Sequence, residues 1–323
     1  MMNIPRNELL TLGAGLAGAA VLAFLPLVTE GFWLSLSVNI MLYAAICTAW
    51  ALFSGPTHLV SLASAAFFGV GTYSVAIFID VLPFPALILI AVVAGALLAT
   101  LVGLATLRLS GVYFVIFTLG LAELLGQIVT WVQTNFGGTI GLYVFTDFTE
   151  THLYWMLLAL TVVVFVTGWF INRSRLGLAL RIIGNDEAVA RHVGVDTART
   201  RVILFAVSGA FIAVAGAIMA PRYGYITPDA AFNPMTSFLV VIMALLGGTR
   251  RLWGPLVGVV PFTVVMDFIS GHFPNQTAVI MGLAFLAIVY VLPDGVTGQL
   301  ETLFRRRRSI DKSSLATTAE EGR

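Results

Sequence analysis

The residues that could do chemistry are few, and most of them stand alone. Glu123 is the most deeply embedded carboxylate of the chain, set in the apolar run RLSGVYFVIFTLGLAELL (108–125). A charge at bilayer depth is costly, so an acid there marks a functional site by default; its plainer role is a hydrogen bond to a neighbouring span. His58, His192 and His272 have no metal-ligand partner at close spacing. Cys47 is the lone cysteine, which excludes an internal disulfide and any Cys-based metal site. No phosphate-binding GxxxxGK[ST] loop occurs, so nucleotide chemistry is not this chain's own. No His/Asp/Glu cluster sits at catalytic spacing either, which speaks against an enzyme and calls for no cofactor.

Polar character concentrates instead in residues 172–201, NRSRLGLALRIIGNDEAVARHVGVDTARTR, which carry six arginines. A short helix is expected inside this loop. Asn185 or Asp186 can cap its start, Glu187 lies in its first turn, and Gly194 is placed to end it. Glu187 and Arg191 lie four apart, acid first, on one face of that helix. A capped, charged helix held between apolar spans is shaped to dock a cytoplasmic partner. The alternative is an ordinary basic loop that only fixes topology.

The elements around these residues are membrane spans. Hydrophobic residues make up 59% of the 323 residues and charged residues only 10%, too few to cover a soluble surface. About 20 apolar residues cross a bilayer as a helix. Ten such spans are expected: 9–29, 32–53, 58–79, 84–106, 111–132, 152–171, 202–220, 235–248, 254–271 and 277–293. The third is rich in small and hydroxyl residues, the eighth is short and ends at Gly247-Gly248, and the ninth holds Pro261. Interrupted helices of this kind are tolerated where protein or a water-filled cavity satisfies the freed backbone. The fold class is therefore an all-α polytopic bundle of about ten transmembrane helices, some short or broken. Residues 1–304 form one membrane domain, and 305–323 a basic, disordered tail whose Arg305–Arg308 run suits anionic lipid rather than nucleic acid.

With ten spans, sixteen of the seventeen Lys and Arg residues fall on one face; only Arg222 lies opposite, with Glu30, Asp80, Asp147, Glu150 and Asp229. That split makes the basic face, with both termini, cytoplasmic. Polar side chains at bilayer depth must face protein or water. On that ground Asn39, Ser61, Ser64, Thr72 and Glu123 are candidate contacts along a translocation path through spans two, three and five. Residues 55–72 and 247–258 share a loose glycine pattern beside a polar break, without a convincing alignment.

Five segments in register resemble one family: AAFFGVGTY (65–73), the run 108–125, SRLGLALRIIGNDEAVARHVGV (174–195), Thr227-Pro228-Asp229 and GGTRRLWGPLVG (247–258). They resemble permease subunits of the high-affinity branched-chain amino acid ABC importers, the longer M-type above all, from about residue 38 to 293. The resemblance implies a bacterial inner-membrane subunit that pairs with a second permease, two ATP-binding cassette ATPases and a periplasmic or lipoprotein solute-binding protein. It also implies that the loop helix is the coupling helix, with Asp186, Glu187, Ala188, Arg191 and Gly194 against the ATPase. The chain departs from the family at Gly55-Pro56-Thr57-His58, at Ala63-Ser64, at Thr249-Arg250-Arg251 and at Pro293-Asp294-Gly295. The first departure leaves other cargoes open: urea, short amides, other amino acids or small carboxylates. An ion-driven secondary transporter would instead show several paired intramembrane charges.

Overall fold

A computed structural model describes residues 6–106, 109, 111–185, 190, 192, 194–249, 251–291 and 296–297. Twelve helices are named here in chain order. They are α1 (Arg6–Ala23), α2 (Phe32–Thr57), α3 (Ser64–Phe78), α4 (Phe84–Thr106), α5 (Val112–Val132) and α6 (Glu150–Arg173). There follow α7 (Arg175–Asn185), α8 (Thr197–Tyr223), α9 (Pro228–Ala231), α10 (Pro234–Gly247), α11 (Gly254–His272) and α12 (Thr277–Val291). Each of the ten expected spans holds one helix. Among the described residues, seven helical segments are long and apolar enough to cross a membrane, if α9 and α10 count together. The third span differs from expectation: residues 58–63 are not helical, and α3 begins only at Ser64.

Burial patterns explain the packing. The α2 helix is apolar around its whole circumference and is buried from Ala44 to Ser54, which makes it a core helix. The α8 helix does the same from Ile212 to Ala220. The α4 helix is sided the opposite way to a soluble helix. It buries Ala91, Gly95 and Ala99 toward α8 and exposes Leu89, Val93, Leu97 and Leu101. Small residues inside and large apolar ones outside are what close helix contact in lipid requires. The tightest crossing joins α3 to α8. A Cβ on Gly71 would overlap the carbonyl oxygen of Ala213, and one on Gly216 would overlap that of Phe68. Thr72 Oγ1 sits in the same seam, 2.9 Å from Phe68 O and 3.2 Å from Gly216 O.

The two halves of the bundle repeat one plan with inverted direction. A long helix (α2, 26 residues; α8, 27) leads through a break into a short one (α3, 15; α10, 14). Two further helices follow each: α4 and α5, or α11 and α12. The contacts obey the same two-fold: α4 packs on α8 as α11 packs on α2, and α3 packs on α8 as α10 packs on α2. At 1.5 Å per residue, α3 and α10 are each only about 22 Å long, short of a bilayer's ~30 Å core.

Their first turns meet at the pseudo-axis. Ser237 Oγ donates to Leu62 O at 2.7 Å and accepts Ala65 N–H at 2.8 Å. Leu62 N–H is taken by Thr118 Oγ1 at 3.0 Å, and Trp50 Nε1 donates to Ser61 O at 2.7 Å. Buried backbone that leaves a helix must find such partners. The break thus returns its polar groups to α2, α5 and α10. His58, at φ +54°, is the one non-glycine residue with positive φ among those described, and it turns the chain from α2 into this segment.

Candidate functional site

The seam where α3 and α10 meet brings together Ser61 and Ser64 but not the other three path candidates. Ser61 Oγ accepts Ala63 N–H at 3.2 Å. Ser64 Oγ, on a residue 1% exposed, has no hydrogen-bond partner among the described residues. Thr72 lies in the α3–α8 crossing, fully buried. Asn39 lies toward the opposite end of α2, where its Oδ1 accepts Arg222 Nη1 at 2.7 Å. Arg222 Nη2 also donates to Ser35 Oγ at 2.6 Å and pairs with Glu150 at 3.3 Å. One guanidinium fork therefore ties α8 to α2 and α6 on the acidic face, a geometry that suits arginine and not lysine.

Glu123 occupies a different place. It is exposed in the middle of α5, beside exposed Leu124 and Ile128, and its Oε1 accepts Gln127 Nε2 at 3.2 Å. It lines an open cleft of about 200 Å³ between α5 and the segment Pro228–Pro234. Gln127, Asp229 and Asn233 line the same cleft over Phe232. None of these three was foreseen as a site residue. Gln127 carried a signal, since it lies one helical turn from Glu123; Asp229 and Asn233 are joined to it only by the fold. Their segment is fixed by a two-stranded antiparallel pairing of β1 (Leu142–Tyr143) with β2 (Tyr225–Ile226). It then passes through α9, which packs on α3 and α5.

The loop on the basic face is partly described. Asp186, Glu187, Ala188 and Arg191 lie outside the described residues. Asn185, one of the two caps considered for the loop helix, is the last residue of α7. That helix was not foreseen. It forms because Gly177, Leu180 and Ile183 recur at helical spacing and are buried, and α7 packs on α6, α2 and α8. Gly194 has φ +85°, and Val195 N–H reaches back to Ala190 O at 3.0 Å. This is the six-to-one bond of a glycine-terminated helix end. Asp196 then caps α8, accepting Arg199 N–H at 2.9 Å.

Comparison with known proteins decides the family. The sequence profile described as branched-chain amino acid transport system, permease component, matches residues 32–292. This chain belongs to that family. As one of its permeases, with seven helical segments among the described residues long and apolar enough to cross a membrane, it is a multi-pass membrane protein. It is 29% identical over 177 residues to the high-affinity branched-chain amino acid transport system permease protein LivH of Salmonella typhimurium, covering 54% of each chain. Against the permease protein LivM of the same organism it is 23% identical over 290 residues, covering 77% of this chain and 66% of the relative. A third relative, the autoinducer 2 import system permease protein LsrC of Klebsiella pneumoniae, is 30% identical over 108 residues, covering 32% of this chain and 30% of the relative. The chain thus spans about half the length of the LivH relatives it matches.

Proposed function

We propose that this permease is the transmembrane subunit of an ATP-driven importer that carries branched-chain amino acids, or a related small polar solute, across a bacterial inner membrane. The family match over residues 32–292 carries this reading. Its basic face is cytoplasmic, in keeping with the charge asymmetry. A second, similar permease covers the exposed face of α5, where Glu123 and Gln127 interrupt large apolar residues. Two ATPase subunits dock on the loop helix ending at Gly194, with Asp186, Glu187, Ala188 and Arg191 as contacts, and a solute-binding protein delivers cargo from outside. The path runs along the α3–α10 seam and the α5 cleft, so Ser61, Ser64 and Glu123 are its polar contacts, with Asn39 and Thr72 supporting its walls. Its chemistry is transport; hydrolysis belongs to the ATPases.

The relative named for autoinducer 2 import favours a second reading, the same importer with a different polar cargo. Uptake of labelled leucine, urea and a small carboxylate by a deletion strain, with and without this chain, separates the two. Leucine uptake restored by the chain supports the first reading; restoration of another solute alone supports the second.

A further inference from the structure

The break before α3 leaves donors that nothing takes up. A helix cannot satisfy its first four N–H groups from within. At α3, Ala65 N–H goes to Ser237 Oγ at 2.8 Å and Phe67 N–H to Ala63 O at 3.1 Å. Ser64 N–H and Ala66 N–H meet no acceptor among the described residues, and Ala63 supplies no side-chain cap. A second, independent observation is the Ser64 hydroxyl, 99% buried by residue and without a partner among the described residues. Thr48, Ser54 and Thr263 carry unpartnered buried hydroxyls too. Each of those stands inside a helix, one turn after a carbonyl of the kind that Thr72, Thr106 and Thr118 bond. Ser64 opens its helix, and residues 58–63 are not helical, so no preceding turn offers it that carbonyl. Ser61 Oγ accepts Ala63 N–H, and its own proton goes to no acceptor among the described residues. Residues 61–66 thus hold two hydroxyl protons and two N–H groups at the positive end of the α3 dipole. All four are donors, and an anionic acceptor answers them best. Ser237 sits across this site. Its hydroxyl donates to Leu62 O and accepts Ala65 N–H, the contacts that an ammonium group and a carboxylate oxygen would make.

We propose that the start of α3 is an occluded subsite for the carboxylate of the transported solute, bound by the Ser61 and Ser64 hydroxyls and the N–H groups of Ser64 and Ala66. Ser237 holds it shut until α10 withdraws. The assignment rests on the transport reading for the identity of the solute, but carboxylate binding is measurable without transport. The probes are labelled isocaproate, which is leucine without its ammonium, and labelled isopentylamine, which is leucine without its carboxylate. Equilibrium binding is measured on the purified assembly with no binding protein added, so that the permease alone meets the probe. Isocaproate should bind saturably, and Ser64→Ala should weaken it about tenfold or more, the order expected for a lost hydrogen bond to a charged group. Ser64→Thr, which keeps the hydroxyl, should retain most of that affinity. Isopentylamine binding should be indifferent to Ser64→Ala. The melting temperature of each variant reports folding, and Ser61→Ala serves if Ser64→Ala does not assemble. Isocaproate affinity unchanged by Ser64→Ala, an equal loss for isopentylamine, or no saturable isocaproate binding overturns the proposal. So does displacement of isocaproate by chloride at equal concentration, which would make the start of α3 an inorganic anion site. Ser64-dependent isocaproate binding without leucine uptake by the intact importer would instead contradict the functional reading and leave the carboxylate subsite standing.

Discussion

A single hydroxyl holds the two short helices together. Ser237 both donates to Leu62 O and accepts from Ala65 N–H, so truncating it strands two buried backbone groups. Each such loss costs about 1–3 kcal/mol. Ser237→Ala should therefore lower the melting temperature of the purified protein measurably, while Ser237→Thr, which keeps the hydroxyl, should restore most of it. Equal melting of Ser237→Ala and the parent would show that the seam is held by packing alone. The guanidinium of Arg222 has a comparable role at the acidic face. Arg222→Lys should destabilise nearly as much as Arg222→Ala, because one ammonium cannot reproduce the fork that meets Asn39, Ser35 and Glu150. Among the candidate site residues, Glu123 was legible in the sequence because a lone acid within an apolar run is conspicuous at any depth. Asp229 and Asn233 were not, because about a hundred residues separate them from Glu123 and only the fold closes that distance. Asn39 reads from the sequence as a candidate path contact; its guanidinium partner lies 183 residues away.

At the scale of elements, glycines set how closely helices approach. Gly71→Val and Gly216→Val place side chains where carbonyl oxygens already stand, so α3 and α8 must separate. Overpacking of this sort costs about 1–3 kcal/mol, and more where backbone must move. Both variants should lose monodisperse protein in size-exclusion chromatography, whereas Gly13→Ala, which meets nothing within 4 Å, should not. Gly194 acts through backbone conformation instead. Its φ of +85° is strained for any residue with a Cβ. Gly194→Val should thus misdirect the chain into α8 and reduce co-purification of the ATPase, with membrane insertion unchanged; full retention of the ATPase would leave the loop a topology determinant only. Hydropathy located a helix within each of the ten expected spans, seven of them in segments long and apolar enough to cross a membrane among the described residues, since a bilayer imposes length and composition together. It did not locate the break at residues 58–63, whose apolar residues are stitched by side chains of α2, α5 and α10 rather than by their own helix. Nor did it find α7, whose apolar stripe is too narrow to read as a span.

At the scale of the molecule, the inverted repeat is the organising feature. Residues 55–72 and 247–258, which share a loose glycine pattern, are not equivalent within it: the first covers the α2–α3 break and the second the α10–α11 turn. The repeated units are α2–α5 and α8–α12, matched in order and contacts and opposed in direction, rather than alike in residues. Packing constrains where small side chains must fall and little else, so two halves can share a plan with no alignable sequence. Short helices whose first turns meet inside a bundle are a recurrent device for placing a transport site between two rocking halves. The central claim is that this assembly moves a branched-chain amino acid at the expense of ATP. The most direct measurement is leucine uptake into proteoliposomes holding this permease, its partner permease, the ATPases and the binding protein. Uptake should require ATP inside, persist without any ion gradient and be abolished by Gly194→Val. Uptake that proceeds without ATP and follows a proton or sodium gradient would contradict the account.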